Sequence, residues 1–135
     1  MIFSDDQNLI SALRAACKGL IYVSETDREF EPVWFDISAN KTSADYLDKL
    51  RNCTDGASEE VPADEFFQRL SRIEDWYTES ERRRAKGFAD LFALMKSNLS
   101  DIRVFRLGRI QVEIFIVGIA KSGRLIGVKT SAVET

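Results

Sequence analysis

The strongest structural signal in the chain is the apolar run IQVEIFIVGIA, which occupies residues 110–120. In a β-strand, successive side chains point to opposite faces of the sheet. One face would then carry Ile110, Val112, Ile114 and Ile116, and the other Phe115, Val117 and Ile119. A strand that is apolar on both faces requires cover on both sides. The run therefore predicts the centre of a sheet that lies between two further layers.

Two β-type segments flank this run across short connections. Residues 102–107 precede it across a break at Gly108, and residues 125–133 follow it across a turn at 121–123. Connections this short join neighbouring strands that run antiparallel. Shorter strand candidates lie at residues 20–23 and 33–35. The predicted sheet is therefore mainly antiparallel.

Three amphipathic segments predict helices that would cover the sheet. The first begins at Ser4 with Gln7 as its capping-box partner, and the longest begins at Thr78 with Glu81 in the same role. Apolar residues recur at intervals of three and four, which is typical of a helix with one buried face. They are Leu9, Ile10, Leu13, Ala16 and Cys17 in the first segment, Phe66, Phe67, Leu70 and Ile73 in the second, and Ala85, Phe88, Leu91, Phe92 and Met95 in the third. Residues 43–50 are a candidate for a fourth, shorter helix.

These elements together predict an α/β fold of the α+β type, a three-layer α/β/α sandwich with a mainly antiparallel central sheet. The chain has 135 residues, of which 44% are hydrophobic, and this is enough for one domain with a real core. No internal repeat or linker-like segment divides it. We therefore expect a single domain that spans residues 1–135.

The absence of histidine restricts the chemistry that the chain can perform. Histidine is the usual general base near neutral pH, the usual partner of a nucleophilic serine or cysteine, and the commonest ligand of transition metals. The carboxylates show no spacing of the calcium-loop type. We expect a protein that is not an enzyme and needs no cofactor of its own. A hydrolase with two carboxylates as an acid/base pair is the catalytic alternative.

The net charge of −3 argues against direct binding of nucleic acid, which depends on lysines and arginines that neutralise phosphates. Arg82, Arg83, Arg84 and Lys86 form one basic cluster, and we interpret it as a solvated helix face. Glu79 stands three and four residues before two of these arginines, a spacing that gives weak ion pairs along a helix. An acidic protein more naturally meets a basic partner.

The sequence also favours a cytoplasmic protein that does not enter a membrane. No apolar run reaches the length of a membrane span, and the segment Met1–Asp6 carries acid where a secretory signal carries positive charge. Cys17 falls on the apolar face of the first helix. We therefore expect a buried free thiol, rather than a disulfide with Cys53.

The order of short motifs along the chain resembles the nuclease A inhibitor family. The matching stretches are Gly19-Leu20, Ser24-Glu25, Phe30-Glu31, Phe66-Phe67 with Arg69, Asp75-Trp76-Tyr77, Lys96-Ser97-Asn98-Leu99, Arg106-Leu107-Gly108 and Val133-Glu134-Thr135. Each motif alone is weak evidence of the resemblance. Their occurrence in the family's order, at nearly the family's spacing, is specific to the family. Residues 36–60 show no match. The first loop also departs from the family pattern, because Arg28 occurs in it and Pro32 follows it.

This resemblance implies an α/β/α sandwich that blocks a metal-dependent, sugar-non-specific endonuclease acting on both DNA and RNA. By analogy with the family, Glu25 reaches the single magnesium-type ion in the nuclease active site, and the C-terminal Thr135 occupies the same cleft. The resemblance also implies that Asp75 and Trp76 lie in the contact surface. The expected partner is thus a nuclease in a 1:1 complex with an otherwise monomeric chain, without direct contact to nucleic acid.

Two other functions are compatible with the residues alone, an interaction module and a carboxylate-based hydrolase. An interaction module of the same fold could regulate an unrelated protein, with Glu25 a solvated turn residue. Trp76 could equally cover the core at the start of the long helix, since tryptophan is common both there and in binding hot spots. The carboxylate-based hydrolase requires a pocket lined by acids.

Overall fold

The computed structural model describes residues 5–23, 27–35 and 58–133. Its helices are α1 (Asp6–Cys17), α2 (Ala63–Ser71) and α3 (Glu79–Asn98). Its strands are β1 (Ile21–Tyr22), β2 (Arg28–Glu29), β3 (Glu31–Phe35), β4 (Ser58–Val61), β5 (Ser100–Leu107), β6 (Gln111–Ile119) and β7 (Leu125–Val133).

The main sheet has five strands in the order β3-β7-β6-β5-β4, and every neighbouring pair is antiparallel. The strand predicted from the apolar run, β6, lies at its centre. Strands β1 and β2 pair with each other as a separate two-stranded hairpin. The predicted α+β fold class with an antiparallel central sheet is confirmed.

Both faces of the sheet are buried, as the double apolar alternation of β6 predicts. On one face, Val112, Ile114 and Ile116 of β6 join the core that α1, α2 and α3 complete. On the other face, Phe115 and Val117 pack in a second cluster with side chains from β3, β5 and β7. The helix expected at residues 43–50 lies outside the described residues.

Local capping explains where the helices begin. The backbone amide of Gln7 donates to the Asp5 side chain at 2.8 Å, so Asp5 is the N-cap of α1, in place of the expected Ser4. The predicted capping box of α3 is confirmed. Thr78 accepts from the Glu81 amide at 3.2 Å, and the Glu81 carboxylate accepts from the Thr78 amide at 3.0 Å.

Two apolar residues that were assigned to buried faces are exposed instead. Ile110 precedes β6 because the chain turns at Gly108, where φ is +105° and a Cβ would lie 2.1 Å from the Gln111 carbonyl oxygen. Its side chain is 60% exposed. Ile73 follows the end of α2 at Ser71 and is 49% exposed. In both cases the element ends before the apolar periodicity does.

The antiparallel order collects several chain segments at one end of the sheet, which we call the Val133 end. It contains the end of β7, the start of β6 and the turn that joins β5 to β6, since Gln111 pairs with Val133. The opposite end contains the β6–β7 turn and the start of α1. There, the Ser122 hydroxyl donates to the Asp6 carboxylate at 2.6 Å.

Candidate functional site

Glu25 and Thr135, the two residues expected to enter the nuclease cleft, lie outside the described residues. Their neighbours in the chain are described: Val23 and Asp27 on either side of the first, and Val133 before the second. The arrangement of these neighbours decides whether one surface can carry both expected groups.

The β1–β2 hairpin lies directly against the last strand of the sheet. The Thr130 hydroxyl lies 3.3 Å from the carbonyl oxygen of Arg28 and 3.2 Å from that of Glu29, within donating distance of both. Thr130 is buried, and β7 ends three residues later at Val133. The chain therefore enters and leaves the 24–26 segment beside the strand that leads to the C-terminus.

Asp75 and Trp76 lie in the connection between α2 and α3, and both are exposed. The Trp76 side chain is 77% exposed, so it does not cover the core. Two hydrogen bonds to backbone carbonyls hold the connection: the Tyr77 amide donates to the Glu74 carbonyl at 3.1 Å, and the Arg82 guanidinium donates to the Asp75 carbonyl at 3.2 Å. The tryptophan therefore projects from a locally fixed turn.

A groove of about 270 Å³ separates this connection from the hairpin. Its lining comes from β1 (Ile21, Tyr22 and Val23), the end of α2 (Arg69 and Leu70) and the start of α3 (Tyr77, Glu81, Arg84, Ala85 and Phe88). The rings of Trp76 and Tyr77 meet edge to face, with centroids 6.3 Å apart. Through Tyr77 and this groove, Trp76 lies on the same side of the molecule as Val23.

Exposed apolar side chains are concentrated at the Val133 end. Within the described parts, five large apolar side chains are exposed, namely Val23, Trp34, Ile73, Trp76 and Ile110. Four of them, all except Trp34, lie in the hairpin, the α2–α3 connection or the β5–β6 turn. Apolar residues clustered in this way mark surfaces that contact other molecules.

Two ionisable groups near this end, Glu81 and Cys17, have structural roles. Accepting the backbone amide of Thr78 holds the pKa of the Glu81 carboxyl below its usual range. Burial raises the pKa of the Cys17 thiol to about 12, with smaller contributions from Glu29 and Glu31. Cys17 is a free, buried cysteine, as predicted. Cys53 lies outside the described residues.

Metal binding and membrane insertion were also considered. No group of three or more acidic or cysteine side chains in residues 5–23, 27–35 and 58–133 is arranged to hold a metal ion. Among the helices of that same part of the chain, none has both the length and the apolar character that crossing a bilayer requires.

The residue patterns do not indicate that Val23 and Ile110 lie at the surface, or that Arg69 and Arg84 line one groove. Val23 and Ile110 were assigned to strands, and only the turn signal at Gly108 could have shown that Ile110 precedes its strand. Arg84 belonged to the cluster read as a solvated face, but it is half-buried and lines the groove with Arg69. Their proximity depends on helix packing, which residue spacing does not show.

Comparison with known proteins bears on the nature of this surface. The family model of the nuclease A inhibitor-like protein matches residues 7–135, which is nearly the whole chain. A search of curated proteins finds no match. The family match agrees with the motif order and with the α+β fold. The chain thus belongs to the nuclease A inhibitor-like family.

Proposed function

We propose that this chain inhibits a metal-dependent, sugar-non-specific endonuclease by occupying its active site. Glu25 is the ligand that reaches the nuclease ion, and the C-terminal Thr135 enters the same cleft. Asp75 and Trp76 belong to the surrounding contact surface. The chain itself is not an enzyme in this proposal, and it acts as one inhibitor bound to one nuclease.

The observation that carries this proposal is the convergence of separate chain segments at the Val133 end. Arg28 and Glu29, which follow Glu25 by three and four residues, contact the strand that leads to Thr135 through the Thr130 hydroxyl. Tyr77, whose ring meets that of Trp76 edge to face, lines the same groove as Val23. An arrangement with these segments on opposite sides of the molecule would not permit a single cleft to receive them.

The chemistry of the proposed blockade follows from the preferences of magnesium-type ions. Such ions take oxygen ligands and keep several waters, so positions remain for the scissile phosphate. A carboxylate from Glu25 is able to occupy one of them. The α-carboxylate of Thr135 supplies a second anionic group where the substrate would place phosphate oxygens. Inhibitor and nucleic acid would then exclude each other.

Affinity requires a larger contact than these two groups provide. A stable interface buries roughly 1,600 Å² in total, with aromatic residues near its centre. The four exposed apolar side chains at the Val133 end fit this requirement, and Trp76 is the most exposed of them. The proposed interface thus has an apolar contact area beside two acidic groups.

The test is the inhibition of a purified sugar-non-specific nuclease that the unaltered chain inhibits. Glu25→Ala and a peptide tag added after Thr135 should each weaken inhibition at least about tenfold, because each disturbs an anionic group in the cleft. Asp75→Ala tests the contact surface in the same assay. Full potency in both of the first two variants would contradict the proposed geometry.

The matched control is the same tag placed before Met1. The start of α1 lies at the opposite end, where Asp6 contacts Ser122 and lies 3.6 Å from Arg124. This variant should inhibit as strongly as the untagged chain. If no sugar-non-specific nuclease of the source cell binds or is inhibited, the chain is instead an interaction module with another partner.

A further inference from the structure

We propose that the groove beside Trp76 binds a carboxylate side chain of the nuclease, and that Arg69 and Arg84 hold it. This inference rests on the proposed function, because the occupant belongs to the same partner. It adds a basic contact to a surface whose other expected anchors are acidic or apolar.

The groove combines an apolar base with charged walls. Phe88 and Ala85 of α3 are buried beneath it, and Tyr22 and Val23 form the wall on the side of the hairpin. Its volume of about 270 Å³ opens to the surface rather than to the core. Arg84 is half-buried beside the apolar base, so water screens its charge less than that of the exposed Arg69. The groove is therefore a favourable place for a specific ionic contact.

The charges that line the groove leave an excess of positive charge. Arg69 forms no ion pair with any residue in the described part of the chain. Among the described residues of the lining, Glu81 is the only acidic one, and its carboxylate accepts the Thr78 amide at 3.0 Å. Its attraction to Arg84 offsets one of the two positive charges. The described lining residues thus keep one net positive charge, in a chain whose net charge is −3.

We assign the groove to a carboxylate of the partner rather than to a phosphate of nucleic acid, because the net charge of −3 disfavours binding of nucleic acid. The groove opens between Val23 and Tyr77, within the surface that the nuclease is proposed to cover. The planar guanidinium of arginine binds a carboxylate through two parallel hydrogen bonds. A basic contact inside an otherwise acidic interface also fixes the register of the two proteins and rejects wrong partners.

The experiment compares three charge reversals in the full chain. Arg69→Glu and Arg84→Glu should each raise the inhibition constant at least about tenfold against a purified sugar-non-specific nuclease that the unaltered chain inhibits. Arg83→Glu is the matched control, because Arg83 is exposed on α3 and does not line the groove. It should change the constant less than about twofold. Thermal unfolding of each variant verifies that the fold is retained.

A second measurement identifies the occupant. Acidic residues at the rim of the nuclease active site are changed singly to lysine, and one such change should restore binding to the Arg69→Glu inhibitor. Equal inhibition by Arg69→Glu, Arg84→Glu and Arg83→Glu would overturn the inference and leave the proposed function intact. Loss of binding to a single-stranded oligonucleotide, with unchanged inhibition, would also overturn it and assign the groove to phosphate. If the proposed function itself is wrong, the unaltered chain does not inhibit the nuclease. That result is distinct from the two outcomes above, in which the unaltered chain still inhibits.

Discussion

Trp76 shows how the role of one residue depends on its surroundings. Sequence motifs indicated the residue, but its type is equally common in cores and in contact surfaces. The structure resolves this alternative, because the side chain is 77% exposed and stands on a turn held by Arg82. A large apolar ring in this position contributes little to folding and is available for binding.

Trp76→Ala should therefore separate stability from inhibition. The free energy of unfolding should change by less than about 0.5 kcal/mol, as for surface substitutions in general. The nuclease inhibition constant should rise by roughly thirtyfold, which corresponds to about 2 kcal/mol for a binding hot spot. Trp34→Ala is the matched control, because Trp34 is 44% exposed but lies outside the Val133 end. Equal weakening by both variants would contradict the location of the contact surface.

Cys17 provides a pH-dependent prediction at the scale of one residue. Burial raises the pKa of its thiol from 9.0 to about 12, so between these values the folded protein keeps the proton that the unfolded chain loses. The contribution of the protonated thiol to the free energy of unfolding is therefore fully present below pH 9.0, and it is lost as the pH rises towards 12. The slope from this group is at most about 1.4 kcal/mol per pH unit.

Urea unfolding of the wild type and of Cys17→Ala measures the contribution of the thiol as the difference between the two proteins. The fall in the free energy of unfolding from about pH 8 to about pH 10.5 should be larger in the wild type than in Cys17→Ala. Other groups titrate in both proteins, and their contributions cancel in the comparison. Falls of the same size in both would show that the Cys17 thiol ionises normally in the folded state.

At the scale of elements, local patterns predicted the centres of helices and strands better than their ends. The capping box of α3 and the β5–β6–β7 order were predicted correctly, because caps and alternation act between residues close in the chain. Ile73 and Ile110 were misassigned because apolar periodicity continued past a break in the backbone. The break at Gly108 has a positive φ of +105° and no room for a Cβ atom.

The cap of α3 should stabilise the helix that follows the Trp76 turn. Thr78→Ala removes the side-chain acceptor of the Glu81 amide, and it should lower the free energy of unfolding by about 1 kcal/mol. Thr78→Ser retains the hydroxyl and should stay near the wild type. Chemical denaturation measures both. If the serine variant loses as much stability as the alanine variant, the hydroxyl of Thr78 is not what stabilises the helix.

At the scale of the whole molecule, the acidic net charge and the location of the contact surface bear on different steps of binding. In the proposed complex, the charge of −3 would act over a distance and attract a basic nuclease before contact. The exposed apolar side chains and the groove arginines act only after contact. The rate of association and the rate of dissociation should therefore respond differently to salt.

Stopped-flow binding to the nuclease tests this separation. The association rate constant should fall at least about tenfold when the salt concentration rises from about 0.02 M to about 0.5 M, because screening shortens the range of the attraction. The dissociation rate constant should change far less. An association rate that does not depend on salt would contradict electrostatic steering.

Residue patterns were sufficient for the fold class, the central strand, the long capped helix and the buried Cys17. These features depend on periodicity, capping and burial, which are visible in short stretches of chain. The meeting of Val23, Trp76, Ile110 and Val133 at one end depended on the tertiary structure, because antiparallel pairing and helix packing bring together residues that are distant in the chain. For the same reason, the pairing of Arg69 with Arg84 in one groove required the packed helices.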